Sequence, residues 1–260
     1  MRLKDRVAIV TGAGRGIGKG IAQVFAEEGA TVIVASLGEA AGRETEREIT
    51  SAGYQALYIT TDVASEASIC TLMEQVDKQF GKLDILVNNA GITLFRPLLE
   101  ATTEDWEKVM NVDLRGVFLC SKYAATLMMR ERKGSIINIS SNHAVSTLPD
   151  TEIYAAAKAG VNGMTRSMAL SLGPYGIRVN AICPGFTDTP HYRQWLNQRE
   201  NPDNIEREVH KLQAVGRISD PQDIGKLAAY LASDDSRMMT GAELLLDGGL
   251  SARLYYSDLC

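Results

Sequence analysis

Short runs of β-branched and other apolar residues alternate with longer helical patterns along all 260 residues of the chain. Strands are predicted over residues 7–11, 31–36, 56–60, 84–88, 135–140, 177–182 and 242–247. Helices are predicted over about 17–28, 103–132, 152–172 and 221–233. Two further helices are predicted to end near residues 53 and 81. This alternation predicts an α/β protein built on a parallel sheet with helices on both faces.

Composition and charge exclude several classes of protein. At 45% hydrophobic content the chain can bury one substantial core, so a single domain over residues 1–260 is expected. A net charge of -5 and a pI near 5.4 argue against a nucleic-acid partner, which would require clustered Lys and Arg. The N-terminal MRLKDRVAIV lacks the long apolar region of a secretory signal, and no stretch resembles a membrane-spanning helix. We therefore expect a cytoplasmic protein with no membrane partner.

The cysteines and histidines do not indicate a metal site. No two cysteines form a CxxC pair, and the histidines have no metal-ligand spacing with one another or with the cysteines. Reduced thiols and no catalytic metal are therefore expected. The residues concerned are Cys70, Cys120, Cys183, Cys260, His143, His191 and His210.

Residues 186–219 break the alternation, because a polar and charged stretch stands where a short crossover would be expected. We interpret this stretch as a substrate lid, the alternative being a surface excursion with no role. The chain ends in a tail, residues 250–260. There Tyr255 and Tyr256 could dock against a neighbouring subunit or belong to a disordered end.

A glycine-rich loop, TGAGRGIG, lies where the first predicted strand turns into the first predicted helix. Its glycines let the backbone approach a ligand, and the helix N-terminus offers unpaired N–H groups to a pyrophosphate. The GxGxxG fingerprint does not fit, because Ile17 stands where its third glycine would be, and the spacing is that of TGxxxGxG. We predict a dinucleotide site here rather than a plain tight turn. Its residues are Gly12, Gly14, Arg15, Gly16, Ile17 and Gly18.

The end of the second predicted strand bears on the choice of cofactor. Enzymes that prefer NAD usually carry an acidic residue there to hold the ribose hydroxyls. This chain has Ser36 and Leu37 instead, so nothing repels a 2′-phosphate, and Arg15 could supply a positive partner to it. The pattern favours NADP, while Glu39 keeps NAD possible.

The string YAAAK places Tyr154 and Lys158 four residues apart, on one face of a predicted helix. A free tyrosine is a poor base at neutral pH. A lysine about 4 Å away, at an effective dielectric of about 20, favours the phenolate by roughly 4 kcal/mol, which suits acid/base catalysis near neutral pH. Alone, this spacing is common on helix surfaces, so its context decides its meaning.

Two further polar residues supply that context. Ser141 lies thirteen residues before Tyr154, just past the fifth predicted strand, where its hydroxyl can polarise a substrate carbonyl. Ser140 would then point the other way, into the packing of the sheet. Asn111 lies inside a predicted helix, where Asn is a poor helix former, so it either faces solvent or has a role inside the protein.

Together these motifs resemble the short-chain dehydrogenase/reductase family over essentially the whole chain, including its glucose 1-dehydrogenase-like and 3-oxoacyl-acyl carrier protein reductase-like members. The resemblance implies a Rossmann-type, doubly wound seven-stranded parallel sheet in the order 3-2-1-4-5-6-7. It also implies a catalytic tetrad of Asn111, Ser141, Tyr154 and Lys158. The motifs that carry it are TGAGRGIG, Asp62, NNAG, Asn111, Ser141, YAAAK and PGFTDT.

The resemblance assigns further residues to the cofactor. Asp62 and Val63 would lie near the adenine, and Lys158 would hold the nicotinamide ribose. Asn111 would anchor a water that completes a proton relay. The remaining expected contacts are Asn89, Ala90 and Gly91 along the adenosine, and Pro184, Gly185, Thr187 and Thr189 around the carboxamide.

The activity implied is interconversion of a secondary alcohol and a ketone or aldehyde, with Tyr154 as general acid/base. Polar candidates around the site favour a sugar, polyol or hydroxy acid. A 3-oxoacyl or hydroxysteroid reductase and a non-catalytic dinucleotide-sensing scaffold stay open as alternatives. The substrate candidates are Ser141, His143, Glu152, Phe186, His191 and Tyr192, with Asn142, Thr147 and Trp195 nearby.

Small residues are frequent in the helix predicted over 152–172, which suits close helix–helix packing. Members of the family commonly pair through such helices, and the resemblance therefore implies a homotetramer. The alternative is that these residues only let the helix lie close to its own sheet.

Overall fold

The computed structural model describes residues 1–253 and places seven parallel strands in one sheet, in the order β3-β2-β1-β4-β5-β6-β7. The Rossmann-type α/β fold expected from the sequence is therefore confirmed. Because all the strand pairs are parallel, the carboxyl ends of the strands meet at one edge of the sheet. The strands are β1 Val7–Thr11, β2 Thr31–Ser36, β3 Ala56–Thr60, β4 Ile85–Asn88, β5 Gly134–Ile139, β6 Ile177–Pro184 and β7 Glu243–Leu246.

Helices cover both faces of this sheet, and each face has its own apolar core. Phe25 of the first helix and Leu231 of the last described helix are buried on one face, whereas Leu72 and Met128 are buried on the other. The helices are α1 Gly16–Glu27, α2 Glu39–Ser51, α3 Glu66–Phe80, α4 Thr103–Met110, α5 Gly116–Glu131, α6 Glu152–Leu172, α7 Pro190–Asn197, α8 Pro202–Leu212 and α9 Pro221–Ala232.

The ends of these helices follow from local sequence chemistry. Ser65 accepts a hydrogen bond from the backbone N–H of Ser68 at the start of α3, and Gly81 closes that helix with a left-handed φ of 67°. At the start of α4, Thr102 and Asp105 each cap the backbone of the other. Such caps fix where a helix begins, and hence which face it turns toward the sheet.

The first and last helices of the described chain pack against each other. Gly20 of α1 faces Pro221 of α9 so closely that a Cβ at Gly20 would lie 2.8 Å from the Pro221 carbonyl carbon. Gly225 of α9 faces Val24 in the same way, since a Cβ at Gly225 would lie 2.8 Å from Val24 Cγ2. The helix that follows the glycine-rich loop is thus held by a segment about 200 residues later in the chain.

The helix predicted over 103–132 is present, but it is not a regular α-helix along its whole length. A π-helical turn, Asn111–Arg115, separates α4 from α5 and closes with a hydrogen bond from Gly116 N to Asn111 O. The extra residue in this turn buries Asp113 completely. It also brings Gly116 against the Val63 carbonyl, where a Cβ would lie 2.9 Å from the oxygen.

The segment interpreted as a lid folds into α7 and α8. Tyr192 and Leu196 of α7 form a small apolar core with Val209 of α8 and with Ile218. On its surface, Arg193 is paired with both Asp188 and Glu206 at 2.6 Å. The segment is therefore a helical pair with its own packing.

The described part of the chain ends in a short helical turn, Leu250–Ala252. The rest of the predicted tail, including Tyr255 and Tyr256, lies outside the described residues. None of the helices within residues 1–253 combines the length and the apolar character needed to cross a membrane.

Candidate active site

The glycine-rich loop lies at the carboxyl edge of the sheet, between β1 and α1, in close contact with the end of β4. Gly12 has a φ of 65°, and a Cβ there would lie 2.8 Å from Ala90 Cα. A Cβ at Gly18 would collide with Asn89 Nδ2 and with the Gly12 carbonyl. Glycine is therefore required at both positions by close backbone approach and, at Gly12, by its left-handed conformation.

Thr11 and Asn89 join the glycine loop to the NNAG segment. The Thr11 hydroxyl accepts hydrogen bonds from Asn89 N at 2.9 Å and Ala90 N at 3.0 Å. The side chain of Asn89 also donates to Thr11, from Nδ2 to the backbone carbonyl oxygen at 2.9 Å. The two sequence motifs thus form one rigid unit.

This unit fits the pyrophosphate of a dinucleotide. The first turn of α1 contains no acidic residue, and Arg15 at its N-cap is exposed and makes no capping hydrogen bond from its side chain. The N–H groups of the turn are therefore available to an anion, and the helix dipole favours one there. Gly16 lies next to the Thr189 side chain, since a Cβ at Gly16 would be 3.4 Å from it.

The end of β2 faces the same opening. A Cβ at Gly14 would lie 2.9 Å from Ser36 Oγ, so the hydroxyl borders the glycine loop, while Leu37 is 66% exposed. No carboxylate occupies this strand end. Asp62 follows β3, where its Oδ1 accepts from Ala64 N at 2.9 Å and its own N–H is held by Ser68. Val63, which also follows β3, is buried and packs against Gly116.

Tyr154 and Lys158 lie on one face of α6, as the spacing predicts. The Lys158 ammonium is 5.5 Å from the centroid of the Tyr154 ring, and it donates to the carbonyl of Ile139 at 3.2 Å. Lys158 is only 5% exposed, whereas Tyr154 is half-buried and open to the cleft. The tyrosine is therefore accessible to a substrate, and the lysine lies behind it.

Asp113, rather than Asn111, contacts this lysine. The carboxylate Oδ2 of Asp113 is 3.1 Å from the Lys158 ammonium, and its Oδ1 accepts from Ile92 N at 2.8 Å. The side chain of Asn111 makes no hydrogen bond to another residue of the described chain. The structure therefore gives no support for Asn111 in the tetrad, because the π-helical turn directs the residue two positions later toward the site.

Sequence reasoning missed Asp113, although a signal was present. Asp113 stands in an otherwise largely apolar run, VDLRGVFLC, where a carboxylate that becomes buried must find a positive partner. Gly91 accommodates the pair, since a Cβ there would lie 2.9 Å from Asp113 Oδ2 and 3.4 Å from Lys158 Nζ. NNAG thus contributes a glycine to the lysine site as well as contacts to the loop.

The pair determines the charge of the lysine. Burial by itself would lower the pKa of Lys158, but the carboxylate of Asp113, together with Tyr154, outweighs burial and raises that pKa. Lys158 is therefore a cation at neutral pH. Apart from this ion pair, Oδ2 of Asp113 has no hydrogen-bond partner among residues 1–253.

Ser140 and Ser141 point in opposite directions at the end of β5. Ser140 donates to the Lys158 carbonyl at 3.1 Å, inside the packing between sheet and helix. Ser141 accepts from His143 N at 3.1 Å and donates to Asn142 Oδ1 over a longer 3.4 Å. The proton of Ser141 is thus weakly held and can be redirected to a substrate oxygen.

His143 lies beside the tyrosine. The two rings are 5.6 Å apart, edge to face, and His143 Nδ1 is 3.0 Å from Thr147 Oγ1. Burial lowers the pKa of His143, so the imidazole is neutral at neutral pH. Among the predicted substrate residues, His143 is the side chain in ring contact with Tyr154.

Other predicted substrate residues lie elsewhere. The Tyr192 ring is buried and packs against Phe186 and Trp195, and its enclosed hydroxyl has no hydrogen-bond partner among residues 1–253. Glu152 is exposed and lines an outer cavity with Trp106; two residues along a helix turn it about 200° away from Tyr154. His191 is exposed on α7.

The segment that follows β6 closes the site on the lid side. Gly185 packs against Asp247, where a Cβ would lie 2.7 Å from the aspartate Cβ. Thr187 is buried and donates to the Gly185 carbonyl at 3.1 Å, and Thr189 caps α7 by accepting from Tyr192 N at 3.1 Å. The chain from Pro184 to Thr189 thus runs from the sheet edge past Gly16 into the lid.

A cavity of about 340 Å³ at the opposite, amino edge of the sheet is lined by charged residues. Arg6 pairs there with Asp84 at 3.0 Å and with Asp234 at 3.2 Å, and Lys133 pairs with Asp234 at 3.3 Å. These charges satisfy one another, so this cavity is part of the framework and not of the site.

Comparison with known proteins agrees with this geometry. A family model described as enoyl-(acyl carrier protein) reductase matches residues 12–251. The cis-4-hydroxycyclohexanecarboxylate dehydrogenase of Sinomonas cyclohexanicum is 39% identical, over 95% of this chain and 97% of its own. The solved structure of a putative gluconate dehydrogenase from Agrobacterium tumefaciens has a TM-score of 0.92 and 32% identity, covering 97% of this chain and 98% of its own.

A second solved structure, a gluconate 5-dehydrogenase from Burkholderia cenocepacia in complex with NADP and tartrate, has a TM-score of 0.90. It is 32% identical and covers 97% of this chain and 98% of its own. The likeness therefore extends from the glycine loop through the YAAAK helix to the last strand. The chain belongs to the short-chain dehydrogenase/reductase family and is an oxidoreductase.

Proposed function

We propose that this oxidoreductase interconverts a secondary alcohol and a ketone or aldehyde with a nicotinamide cofactor. The observation that carries the proposal is the position of Tyr154, half-buried at the cleft with the Lys158 cation 5.5 Å from its ring. Gly91 links this cleft to the glycine loop, because it belongs to the NNAG segment and touches Lys158. An acid/base group and a dinucleotide cradle therefore share one edge of the sheet.

Each residue has a distinct role in this proposal. A nicotinamide cofactor, when bound, would supply the hydride donor or acceptor for the carbinol carbon. Tyr154 Oη takes the proton of the alcohol during oxidation and returns it during reduction. Ser141 Oγ redirects its proton from Asn142 to the reacting oxygen and so stabilises the negative charge that develops there.

Lys158 acts from behind the tyrosine. Its positive charge would stabilise the negative charge that proton transfer leaves on the Tyr154 oxygen, and the same ammonium would hold the ribose of the nicotinamide. Asp113 keeps the lysine in place through the 3.1 Å ion pair. Asp113 thus takes the place beside the lysine that the sequence pattern suggests for Asn111.

For the cofactor we propose NADP in preference to NAD. Ser36 Oγ borders Gly14, and no carboxylate at this strand end would repel a 2′-phosphate. Arg15 is exposed beside the loop and could pair with that phosphate. The NADP complex of the related gluconate 5-dehydrogenase supports this choice.

For the substrate we propose a sugar, polyol or hydroxy acid. The names of the related dehydrogenases, which act on gluconate or on a hydroxycyclohexanecarboxylate, support a hydroxylated substrate. A 3-oxoacyl substrate is the second candidate, because a reductase of this kind from Thermotoga maritima is 36% identical over 96% of this chain. Residues 186–219 would close over the substrate as a lid.

We further propose a homotetramer. Trp106 of α4 and Phe118 of α5 are each 47% exposed, and Ala156 and Ala159 lie exposed on α6. A face with large apolar and small residues is typical of a subunit interface. Sedimentation of the wild type and of Phe118→Asp tests this, since a smaller species is expected for the variant.

The experiment that tests the function follows cofactor absorbance during incubation with a panel of sugars, polyols, hydroxy acids and ketones. Tyr154→Phe should lower kcat/KM by about 100-fold or more, because it removes the acid/base. Tyr175→Phe, at an exposed tyrosine beyond α6, is the matched control. Turnover that survives in Tyr154→Phe would contradict the proposed mechanism. A wild-type protein that binds cofactor but turns over none of the panel would be a sensing scaffold.

A further inference from the structure

His143 is fixed beside the proposed acid/base by two contacts. It belongs to the helical turn Asn142–Ala144, where its backbone N–H donates to Ser141 Oγ at 3.1 Å. Its ring meets the Tyr154 ring edge to face, with 5.6 Å between centroids and 74° between planes. An atom of the imidazole that faces the cleft is therefore within reach of a substrate held between Ser141 and Tyr154.

A chain of hydrogen bonds determines which nitrogen of this imidazole carries the proton. The chain ends at the Leu148 carbonyl, which can only accept, so Thr151 Oγ1, at 2.6 Å, must direct its proton there. Thr147 Oγ1 is 2.9 Å from Thr151 Oγ1 and must then donate to it. The remaining contact is His143 Nδ1 to Thr147 Oγ1 at 3.0 Å, and its proton can come only from the imidazole.

The opposite direction of this chain is unfavourable. If Thr147 donated to His143, Thr151 would have to donate to Thr147, and no proton would lie between Thr151 Oγ1 and the Leu148 oxygen 2.6 Å away. Two oxygen acceptors would then face each other at that distance without a proton between them. Thr151 is 1% exposed and stands at the N-cap of α6 without capping it, so its hydroxyl is committed to this chain.

The consequence is a free acceptor in the cleft. With a proton on Nδ1 and no second proton, because burial lowers the pKa of His143, the Nε2 atom carries a lone pair. Nε2 lies on the far side of the ring from Nδ1 and thus points away from Thr147. Among residues 1–253 it has no hydrogen-bond partner.

We propose that His143 is a specificity-determining residue whose Nε2 accepts a hydrogen bond from a substrate hydroxyl on a carbon close to the reacting carbinol. This inference rests on the proposed function and narrows its substrate class. A vicinal diol unit, as in a polyol or sugar, satisfies the lone pair. A carboxylate or carbonyl at the same place brings two acceptors together and is disfavoured.

One test reads the tautomer directly and needs no turnover. The chain has three histidines, so histidine-selective ¹⁵N labelling, with His191→Gln and His210→Gln for assignment, resolves His143 by NMR. Nδ1–H with an unprotonated Nε2 is expected in the wild type and in Thr147→Ser. Thr147→Val removes the acceptor and should give a mixture of tautomers. Nε2–H as the main form in the wild type would overturn the inference.

A second test reads specificity with three matched probes: a vicinal butanediol, the corresponding secondary butanol, and lactate, which carries a carboxylate in the same place. The wild type should prefer the diol to the mono-alcohol by about tenfold in kcat/KM, with lactate poorest. His143→Phe should abolish the preference for the diol, whereas Gln55→Phe, at an exposed position between α2 and β3, should keep it. An unchanged ratio in His143→Phe overturns the inference while leaving the proposed function standing.

The two tests separate the two failures. If the wild type turns over none of the probes or panel substrates, the proposed function fails, and the nitrogen resonances still decide whether Nε2 is an acceptor. If it turns over all three probes equally, the function stands and the role of His143 is rejected.

Discussion

Asp113 and Lys158 form an ion pair of 3.1 Å in which the two side chains are 0% and 6% exposed. The carboxylate cancels part of the field that the ammonium exerts on the Tyr154 phenol, since opposite charges so close together act on a third group nearly as a dipole. The phenol therefore lies beside an ion pair and not beside an isolated cation. The other titratable groups beside Lys158 are Tyr154 itself and Cys183 of β6.

Asp113→Asn should shift the basic limb of the pH profile of alcohol oxidation to lower pH. The substitution keeps an acceptor for Ile92 N but removes the carboxylate that raises the pKa of Lys158, so burial lowers that pKa and the ammonium is lost at a lower pH. The measurement is kcat/KM against pH for the wild type and the variant. Asp77→Asn, in the exposed pair with Arg130, is the control and should not move the limb. A basic limb that stays in place or moves to higher pH would contradict this account of the pair.

The same substitution should destabilise the protein. It leaves a buried cation without its partner, which typically costs about 3–5 kcal/mol in unfolding free energy. Urea denaturation of Asp113→Asn beside Asp77→Asn measures the difference, and the exposed pair should contribute about 1 kcal/mol or less. Equal stability of the two variants would show that the buried pair is not needed for folding.

Gly18→Ala should weaken cofactor binding by about tenfold or more. In an ordinary helix this change is favourable by about 1 kcal/mol. Here the new Cβ would collide with Asn89 Nδ2 and the Gly12 carbonyl, so the loop must move. Titration of cofactor into the variant measures the loss. Gly173→Ala, at a position with nothing within 4 Å of a Cβ, should bind normally.

Ser36→Asp should reverse the preference from NADP toward NAD. A carboxylate beside Gly14 would repel a 2′-phosphate and accept hydrogen bonds from the ribose hydroxyls. Dissociation constants for both cofactors test this, with Thr50→Asp on exposed α2 as the control for added charge. Equal NADP affinity before and after would show that Ser36 does not face the ribose.

Asp84 should contribute stability that depends on pH. Burial by itself would raise the pKa of Asp84, but the hydrogen bond from Val7 N and the cations of Arg6 and Lys82 outweigh burial and lower it. Because the folded-state pKa is lower than the unfolded one, this stability is present above about pH 4 and is lost as the pH falls through the folded-state value. The unfolding free energies of the wild type and Asp84→Asn should therefore differ at pH 7 and approach each other as the pH falls below about 4. A constant difference across this range would contradict the assignment.

The sheet can be predicted closely from the sequence because its inner strands are buried on both faces. The predicted bounds of Val7–Thr11 and Thr31–Ser36 agree with the structure to the residue, since continuous apolar runs end there at glycine or polar residues. The bounds of the edge strand Ala56–Thr60 agree as well. The irregular turn in the helix over 103–132 could not be predicted. A π-helical turn adds one residue and leaves an ordinary 3.6-residue period on both sides of Asn111–Arg115.

Only part of the candidate site can be predicted from the sequence, for related reasons. Tyr154 and Lys158 follow from helical spacing, which the sequence shows directly. The position of Asp113 depends on the π-helical turn, and the hydroxyl of Tyr192 suggests a substrate contact although its ring packs with Trp195. The direction of the His143, Thr147 and Thr151 hydrogen bonds depends on a loop conformation that no pattern of residue types specifies.

The packing of Gly20 against Pro221 has a consequence for how the protein is made. The helix that would receive the pyrophosphate leaves the ribosome about 200 residues before its partner helix α9. Until α9 follows, the side of α1 that it covers stays open to water, and contacts between such distant segments form slowly. The nascent chain should therefore acquire its affinity for nucleotide only after α9 has emerged, and products that stop before α9 should neither compete for cofactor nor escape proteolysis.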